Sequence, residues 1–358
     1  MIGEACLVSD NNLPVLYQSH ILKFRLKNKD RLTPALLLAA LTSDIVKTQI
    51  KSKQFTADII DTIGNRYTEL RIPIPKNKEK RAAVGLELNG AFKERVELLG
   101  KITKLPLLAQ RLIKNITDKI PEQIIEGNID EGDLGQMIKI SKILNNIFLP
   151  KYYSDSINLE AKNLKKTHDL VKIEDLVKDG IIELETGIEI GKMAYGTGQI
   201  PFIRTSDLSN WELKIDSKQG ISEEIYDKNK LDVAPEDIFF VRDGTYLVGT
   251  SCIITKHDQK LIYCGGIYRI RVKDKEKIDP YLLLILLNTP FVKRQIKSKQ
   301  FTRDVIDTIG KRILELEIPV PKDQDIKKSI VYEARNAINK RSELRNLIKK
   351  ISNDVKVN

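Results

Sequence analysis

Few side chains in this sequence stand at spacings that catalysis demands. The only histidines, His20, His168 and His257, are scattered, without a Cys or carboxylate at metal-ligand spacing, and each reads as a structural or surface residue. Glu160-Ala161-Lys162 has the Glu-x-Lys form found in nucleases, but such a tripeptide arises by chance in a Lys-rich chain that lacks a placed upstream Asp. No Gly-rich loop opens a helix after a strand, so a phosphate cradle is not expected. No Asn-Pro-Pro-Tyr or Asp-Pro-Pro-Tyr segment is present to hold an extruded base. The three cysteines have no metal or disulfide spacing, and Cys6 and Cys252, inside apolar runs, are expected to pack as small buried hydrophobes. The expectation is a chain without catalytic residues, metal or cofactor of its own. Cations it does carry: Lys and Arg number 60 against 49 Asp and Glu, and the net charge of +11 favours a polyanionic partner.

An ungapped internal repeat organises these residues. Ile50-Lys51-Ser52-Lys53-Gln54-Phe55-Thr56 returns 246 positions later as Ile296-Lys297-Ser298-Lys299-Gln300-Phe301-Thr302, and Asp61-Thr62-Ile63-Gly64 returns as Asp307-Thr308-Ile309-Gly310. Residues 2 to about 100 take part, and Met1 falls opposite Leu247, in the middle of the repeated unit. The chain is therefore expected to carry one complete module and the back half of another. With 358 residues, 41% of them hydrophobic, it can bury ample core in two or three units. No charged-then-apolar leader opens it, and the runs Leu36 to Leu41 and Leu282 to Leu287 are too short to span a bilayer, so no membrane contact and a cytoplasmic location are expected.

In each copy an alternating segment, Ile21 to Leu26 or Ile267 to Val272, reads as a strand with Leu22, Phe24 and Leu26, or Tyr268, Ile270 and Val272, on one face. Lys23, Arg25, Arg269 and Arg271 face the other way. Thr33-Pro34 and Asp279-Pro280 each offer an N-cap followed by Pro at the first helical position, opening a leucine-rich helix that ends near the Lys-Ser-Lys segment. A short helix or turn closing at Gly64 or Gly310 should follow, and then a strand ended by the prolines of Ile72-Pro73-Ile74-Pro75 or Ile318-Pro319-Val320-Pro321. Further strands are expected at Ile200 to Arg204, Ile238 to Val241 and Cys252 to Thr255. After each proline pair the period becomes heptad. Val84, Leu88, Ala91, Arg95, Leu98, Ile102 and Leu105 match Ile330, Ala334, Ala337, Arg341, Leu344, Ile348 and Ile351, a seam on which two antiparallel spacer helices could pack. The plainer alternative, an amphipathic face laid on each helix's own module, is kept open by Gly85, Gly90 and Gly100. The stretch from Gln110 to Asn146 reads as largely helical.

Gly198 to Trp211, Ile238 to Thr245, the Asp-Pro-Tyr-Leu helix start at Asp279 and the closing Ile-Pro-Val-Pro together resemble the target recognition domain of the DNA specificity subunit (S subunit) of type I restriction-modification systems. The resemblance covers residues 171 to 352, and residues 2 to 105 as the truncated copy. It implies an α+β class, with target recognition domains of mixed strands and helices joined to long antiparallel spacer helices. The expected boundaries are a truncated recognition domain at 1–78, a spacer helix at 79–106, a helical linker at 107–170, a complete recognition domain at 171–322 and a second spacer helix at 323–352. It implies a non-catalytic recognition subunit whose partners are double-stranded DNA, DNA methyltransferase (M) subunits that bring S-adenosylmethionine, and a restriction motor-nuclease (R) subunit. A neighbouring polypeptide could complete the first recognition domain. Two alternatives stand beside it: the recognition fragment of a methyltransferase-specificity fusion, and an assembly scaffold with a degenerate recognition domain.

Affinity for duplex DNA comes mainly from cations near phosphates, and discrimination from side chains that pair with base edges. Lys51, Lys53, Gln54, Lys297, Lys299 and Gln300 suit the first role, because residues identical in both copies cannot specify different half-sites. Base-reading candidates are Arg204, Ser206, Asn210, Arg242, Tyr246 and Arg303, with the unduplicated stretch Tyr195 to Tyr246 favoured. Against this, Arg204 could simply pair with Asp207 and Arg242 with Asp243.

Overall fold

The computed structural model describes residues 4–8, 14–30, 32–57, 60–112, 143, 147–209, 211–214, 220–244, 246–258, 260–303 and 306–354. Most of the expected helical stretch after Gln110 lies outside them. The chain divides into two compact units, one of Met1–Leu98 with Lys340–Asn358 and one of Leu99–Asn339.

The first copy belongs to the first unit. Helix α1 (Pro34–Leu41) starts where the Thr33 hydroxyl accepts from the Leu36 amide at 3.2 Å, with Pro34 as first helical residue. The leucine helix does not continue to Lys-Ser-Lys as expected. Thr42 caps it, and α2 (Asp44–Lys53) begins afresh. A hairpin of β1 (Phe55–Ala57) and β2 (Ile60–Thr62) follows, and Gly64, at φ +50, opens a 3-10 helix rather than closing a turn. Helix α3 (Lys78–Arg111) comes next.

The front of the second copy, all in the second unit, comprises α4 (Asp155–Leu164), β3 (His168–Lys172), α5 (Ile173–Lys178), β4 (Ile182–Thr186), β5 (Phe202–Ile203), β6 (Leu208–Ser209), β7 (Glu212–Leu213), α6 (Glu223–Lys228), β8 (Ile238–Val241), β9 (Ser251–Ile253), β10 (Ile262–Tyr263) and β11 (Ile267–Val272). Then come α7 (Pro280–Leu287), α8 (Pro290–Lys299), the hairpin β12 (Phe301–Arg303) and β13 (Ile306–Thr308), β14 (Glu317–Pro321) and α9 (Gln324–Asp354). From α7 to the start of α9, each helix and hairpin strand begins 246 residues after its counterpart in the first copy. Pro290 explains the break between α7 and α8, since its ring cannot follow a residue in helical conformation without a clash.

An antiparallel sheet in the order β4-β11-β8-β9 forms the centre of this unit, and β14 pairs with β3 along its whole length. Phe239, Val241, Cys252, Tyr263 and Ile267 interlock on it, and every residue of α7 is buried. The expected strand from Ile200 to Arg204 is only the short β5, parallel to β10. His168 is buried, its ring between Thr167 Oγ1 at 2.9 Å and the Ala109 carbonyl at 3.0 Å.

The cations of β11 do not face solvent. Arg269 is 1% exposed, its guanidinium 2.5 Å from Glu185 and 3.5 Å from Glu183 on β4, and 3.8 Å from buried Asp237 beside β8. Arg271 reaches Asp237 at 2.7 Å and also Asp232. Its bond to Asp237 holds the guanidinium above its ordinary pKa. A buried guanidinium is tolerable only with such partners, because desolvating an unmatched charge costs several kcal/mol.

The same pattern in the first copy takes a different form. Residues 21–26 are not in a strand, and neither are 71–75, although both were expected to be. β11 is a strand because β4 and β8 take its two edges, and β14 because β3 takes one, whereas among the described residues no strand pairs with 21–26 or 71–75. Cys6, expected to be buried, is exposed, whereas Cys252 is buried in the sheet.

Within the first unit, Val84, Leu88 and Phe92 of α3 pack with Ile348 and Ile351 of α9 and with Leu36 of α1. Further along, Arg95 donates to the Arg341 carbonyl and Arg341 to the Arg95 carbonyl. Position rises on one helix as it falls on the other, so this pair is antiparallel, and the reciprocal bonds join repeat-equivalent residues. Of the other seam positions, Ala91, Ile102, Ile330, Ala334, Ala337 and Leu344 are buried, while Leu98 is half-buried. Gly90 and Gly100 have open space around them. Among the described residues no helix is long and apolar enough to cross a membrane.

Replacing Arg269 by Met should leave Glu185 without its cation, with Asp237 keeping only Arg271, and destabilise the second unit by about 3 kcal/mol. Lys23→Met, at the equivalent exposed position, should cost less than about 0.5 kcal/mol. Urea denaturation of the two variants checks the contrast, and equal costs would contradict it.

Candidate nucleic-acid interface

Gly265-Gly266, entering β11, draws three distant segments together. The Gly266 carbonyl accepts from the amides of Arg242 at 2.8 Å and Asp243 at 3.2 Å. A Cβ on Gly266 would lie 3.0 Å from the methyl of Thr205, so a larger residue there would crowd the 205–207 turn. On the other side Asp243 bridges to Thr308 of β13, whose hydroxyl donates to the carboxylate at 2.5 Å, and the Gly244 amide donates to the Asp307 carbonyl at 2.9 Å. The 204–207 turn, the loop after β8 and the β12-β13 hairpin thus form one assembly. Lys293 anchors the far end of that loop, donating to the Gly249 carbonyl at 2.6 Å, and its burial pulls the ammonium down to about 8.

The base-reading candidates fall differently on this frame. Arg204 precedes the 3-10 turn Thr205–Asp207; its amide donates to the Asp207 carboxylate at 2.8 Å and its side chain lies 3.4 Å away. Arg242 lies over the Tyr268 ring and donates twice to Asp243, at 2.8 and 2.5 Å, which raises its pKa. Both arginines therefore form the intramolecular pairs weighed against them. Ser206 is exposed at the tip of the turn, and Tyr246 is 87% exposed on the loop after β8. Asn210 and the side chain of Arg303 lie outside the described residues, although the backbone of Arg303 ends β12. Sequence reasoning missed Met193, 92% exposed in the 3-10 turn Lys192–Ala194. It also missed Gly266; a Gly-Gly pair before a strand signals close backbone approach and could have flagged it.

The cations shared by the copies split into two kinds. Lys53 pairs with Glu69 at 2.6 Å, and its equivalent Lys299 pairs with Glu315 at 2.9 Å. Arg66 donates to the Lys53 carbonyl over the Phe55 ring, and Arg312 repeats both contacts with Lys299 and Phe301. The bond from Lys53 holds the Glu69 carboxyl below its usual range. In the second copy Tyr152 closes the cluster, its hydroxyl on Glu315 and its ring under Lys299. These pairs tie the end of each helix to the 3-10 helix after its hairpin, so Lys53 and Lys299 are both engaged in holding their own module together. Gln300 approaches Asp307 at 3.5 Å, and Gln54 caps α2 through its amide. Lys51 and Lys297 are exposed in the last helical turn. Among the described residues no cluster of three or more His, Cys, Asp or Glu side chains could hold a metal ion.

A family model described as type I restriction modification DNA specificity domain matches residues 166–350. Among solved structures, the S subunit of a type I restriction-modification system from M. genitalium aligns with 15% identity and a TM-score of 0.37, over 93% of this chain and 75% of that one. The HsdS subunit from Thermoanaerobacter tengcongensis aligns with 12% identity and a TM-score of 0.35, over 92% and 70%. A structure concerned with assembly and conformational transition of a type I R-M system aligns with 15% identity and a TM-score of 0.34, over 92% and 72%. No curated protein matches the chain significantly.

The two kinds of lysine should separate in stability measurements. Lys299→Met, removing the partner of Glu315 and the cation over Tyr152, is expected to cost about 1 to 2 kcal/mol in chemical denaturation, whereas Lys51→Met, at an exposed position in the last turn of α2, should stay within about 0.5 kcal/mol of the parent. Similar costs would contradict the structural assignment of Lys299.

Proposed function

Since the chain belongs to the type I restriction modification DNA specificity domain family, matched over residues 166–350, we propose that it is the sequence-reading S subunit of such a system, acting in the cytoplasm and doing no chemistry itself. That match carries the reading. Duplex DNA is the first partner, with the loop after β8, the 204–207 turn and the β12-β13 hairpin as the reading surface. Of the named candidates on that surface Tyr246 and Ser206 are exposed, and Arg204 and Arg242 hold its shape through their carboxylates. Lys51 and Lys297 lie near phosphates. DNA methyltransferase subunits, which bring S-adenosylmethionine, and a motor-nuclease subunit are the protein partners directed to the target. Completion of the first copy by a neighbouring polypeptide belongs to the same reading.

A complete module offers one half-site, and each correct base pair contributes about 1 to 3 kcal/mol of discrimination, so the isolated chain should bind duplexes weakly and with steep salt dependence. Lys297→Ala with Lys51→Ala should weaken binding to every duplex alike and flatten the salt slope. Tyr246→Ala or Ser206→Ala should change which duplex is preferred. Fluorescence anisotropy over a salt series on matched and scrambled duplexes reads both effects. No binding even at low salt would overturn the reading in favour of an assembly scaffold.

A further inference from the structure

Comparing the two copies position by position outlines a surface that is covered in one and bare in the other. Ile267 and Ile270 of β11 are fully buried, while their equivalents Ile21 and Phe24 are 56% and 55% exposed. Phe291 of α8 is fully buried, with its amide bonded to Gln110, while its equivalent Ile45 is exposed. Phe301 lies 6.2 Å from the Tyr152 ring; its equivalent Phe55 is exposed. Leu22 is exposed as well, so the bare residues fall on one segment and on the helix and hairpin that follow it in sequence. Large apolar side chains exposed in one copy and buried in the other mark an interaction that the first copy lacks.

Charge agrees with the apolar footprint. Arg269 and Arg271 lie between Glu183 and Glu185 on one edge and Asp232 and Asp237 on the other. The equivalents Lys23 and Arg25 keep the positive charge and are exposed, and the described contact of Lys23 is with the Tyr17 ring. Two alternating cations flanked by apolar residues are complementary to strands that alternate acidic and apolar residues, as Ile182-Glu183-Leu184-Glu185 does.

Resting on the reading in which a neighbouring polypeptide completes the first copy, we propose that residues 21–26, with Ile45 and Phe55, are the docking edge for a polypeptide outside these 358 residues that carries a front half-module like residues 150–241. It adds a strand to each edge of 21–26, sets carboxylates against Lys23 and Arg25, and places an aromatic turn like Pro150–Tyr153 on Phe55. Main-chain pairing along an exposed strand supplies affinity and the alternating side chains supply selectivity. A second copy of the chain does not fit this role. Its own front half is engaged by β11, and two 21–26 segments paired together would oppose like charges.

The test co-expresses the full chain, carrying Phe24→Cys, with a separate polypeptide of residues 143–246 as the probe. Light scattering gives the stoichiometry, and peptide mapping follows thiol labelling at position 24, with Cys6 and Cys264 read separately. The expected result is a one-to-one complex in which position 24 labels at least about tenfold more slowly, and loss of that protection in Lys23→Glu with Arg25→Glu. A second arm joins residues 143–246 to Met1 through a flexible linker, so that a poorly folding free probe cannot hide the effect. Unchanged labelling of position 24 in the linked form, protection that survives both charge reversals, or self-association of the chain that buries position 24 would each overturn the proposal.

Discussion

Strand β11 can exist only where carboxylates meet its arginines from both sides. Arg269 is almost fully buried, and without Glu185 and Asp237 a buried guanidinium would be far too costly to keep. The segments bearing those carboxylates, β4 and the approach to β8, also take up the backbone hydrogen bonds of both edges of the strand. Charge pairing and strand pairing therefore stand or fall together. The first copy has the cations and the apolar face but neither flank, and its segment remains exposed chain.

The proposed reading surface depends on the same strand. Gly265 and Gly266 lead directly into β11, and the amides of Arg242 and Asp243 hang on the Gly266 carbonyl. Asp243 then holds the hairpin through Thr308 while engaging Arg242. Acidic side chains that could be mistaken for chemistry, Asp207 and Asp243, serve to fix backbone and arginines. This leaves exposed side chains such as Tyr246 and Ser206 to meet a partner.

The duplication itself, the Thr33 and Asp279 caps, the proline starts and the helix-strand mixture were legible in the sequence, because each rests on neighbours a few residues apart. The heptad match identified Arg95 and Arg341 as equivalents but could not reveal their reciprocal hydrogen bonds, which need the helices brought together. Likewise, Lys297 and Lys299 look alike at the end of one helix, and only the fold brings Glu315 and Tyr152 to the second. The alternation at Ile21 to Leu26 misled for a physical reason: it reports a strand's capacity to pair, while the pairing depends on segments distant in sequence.

Native-state hydrogen exchange on the full chain tests the central claim, that one sequence pattern is held as a strand in the second copy and left unpaired in the first. The account predicts that amides at 267–272 exchange only through global opening of their unit, while those at 21–26 exchange at nearly unfolded rates. Comparable protection of the two segments in the chain alone would contradict it.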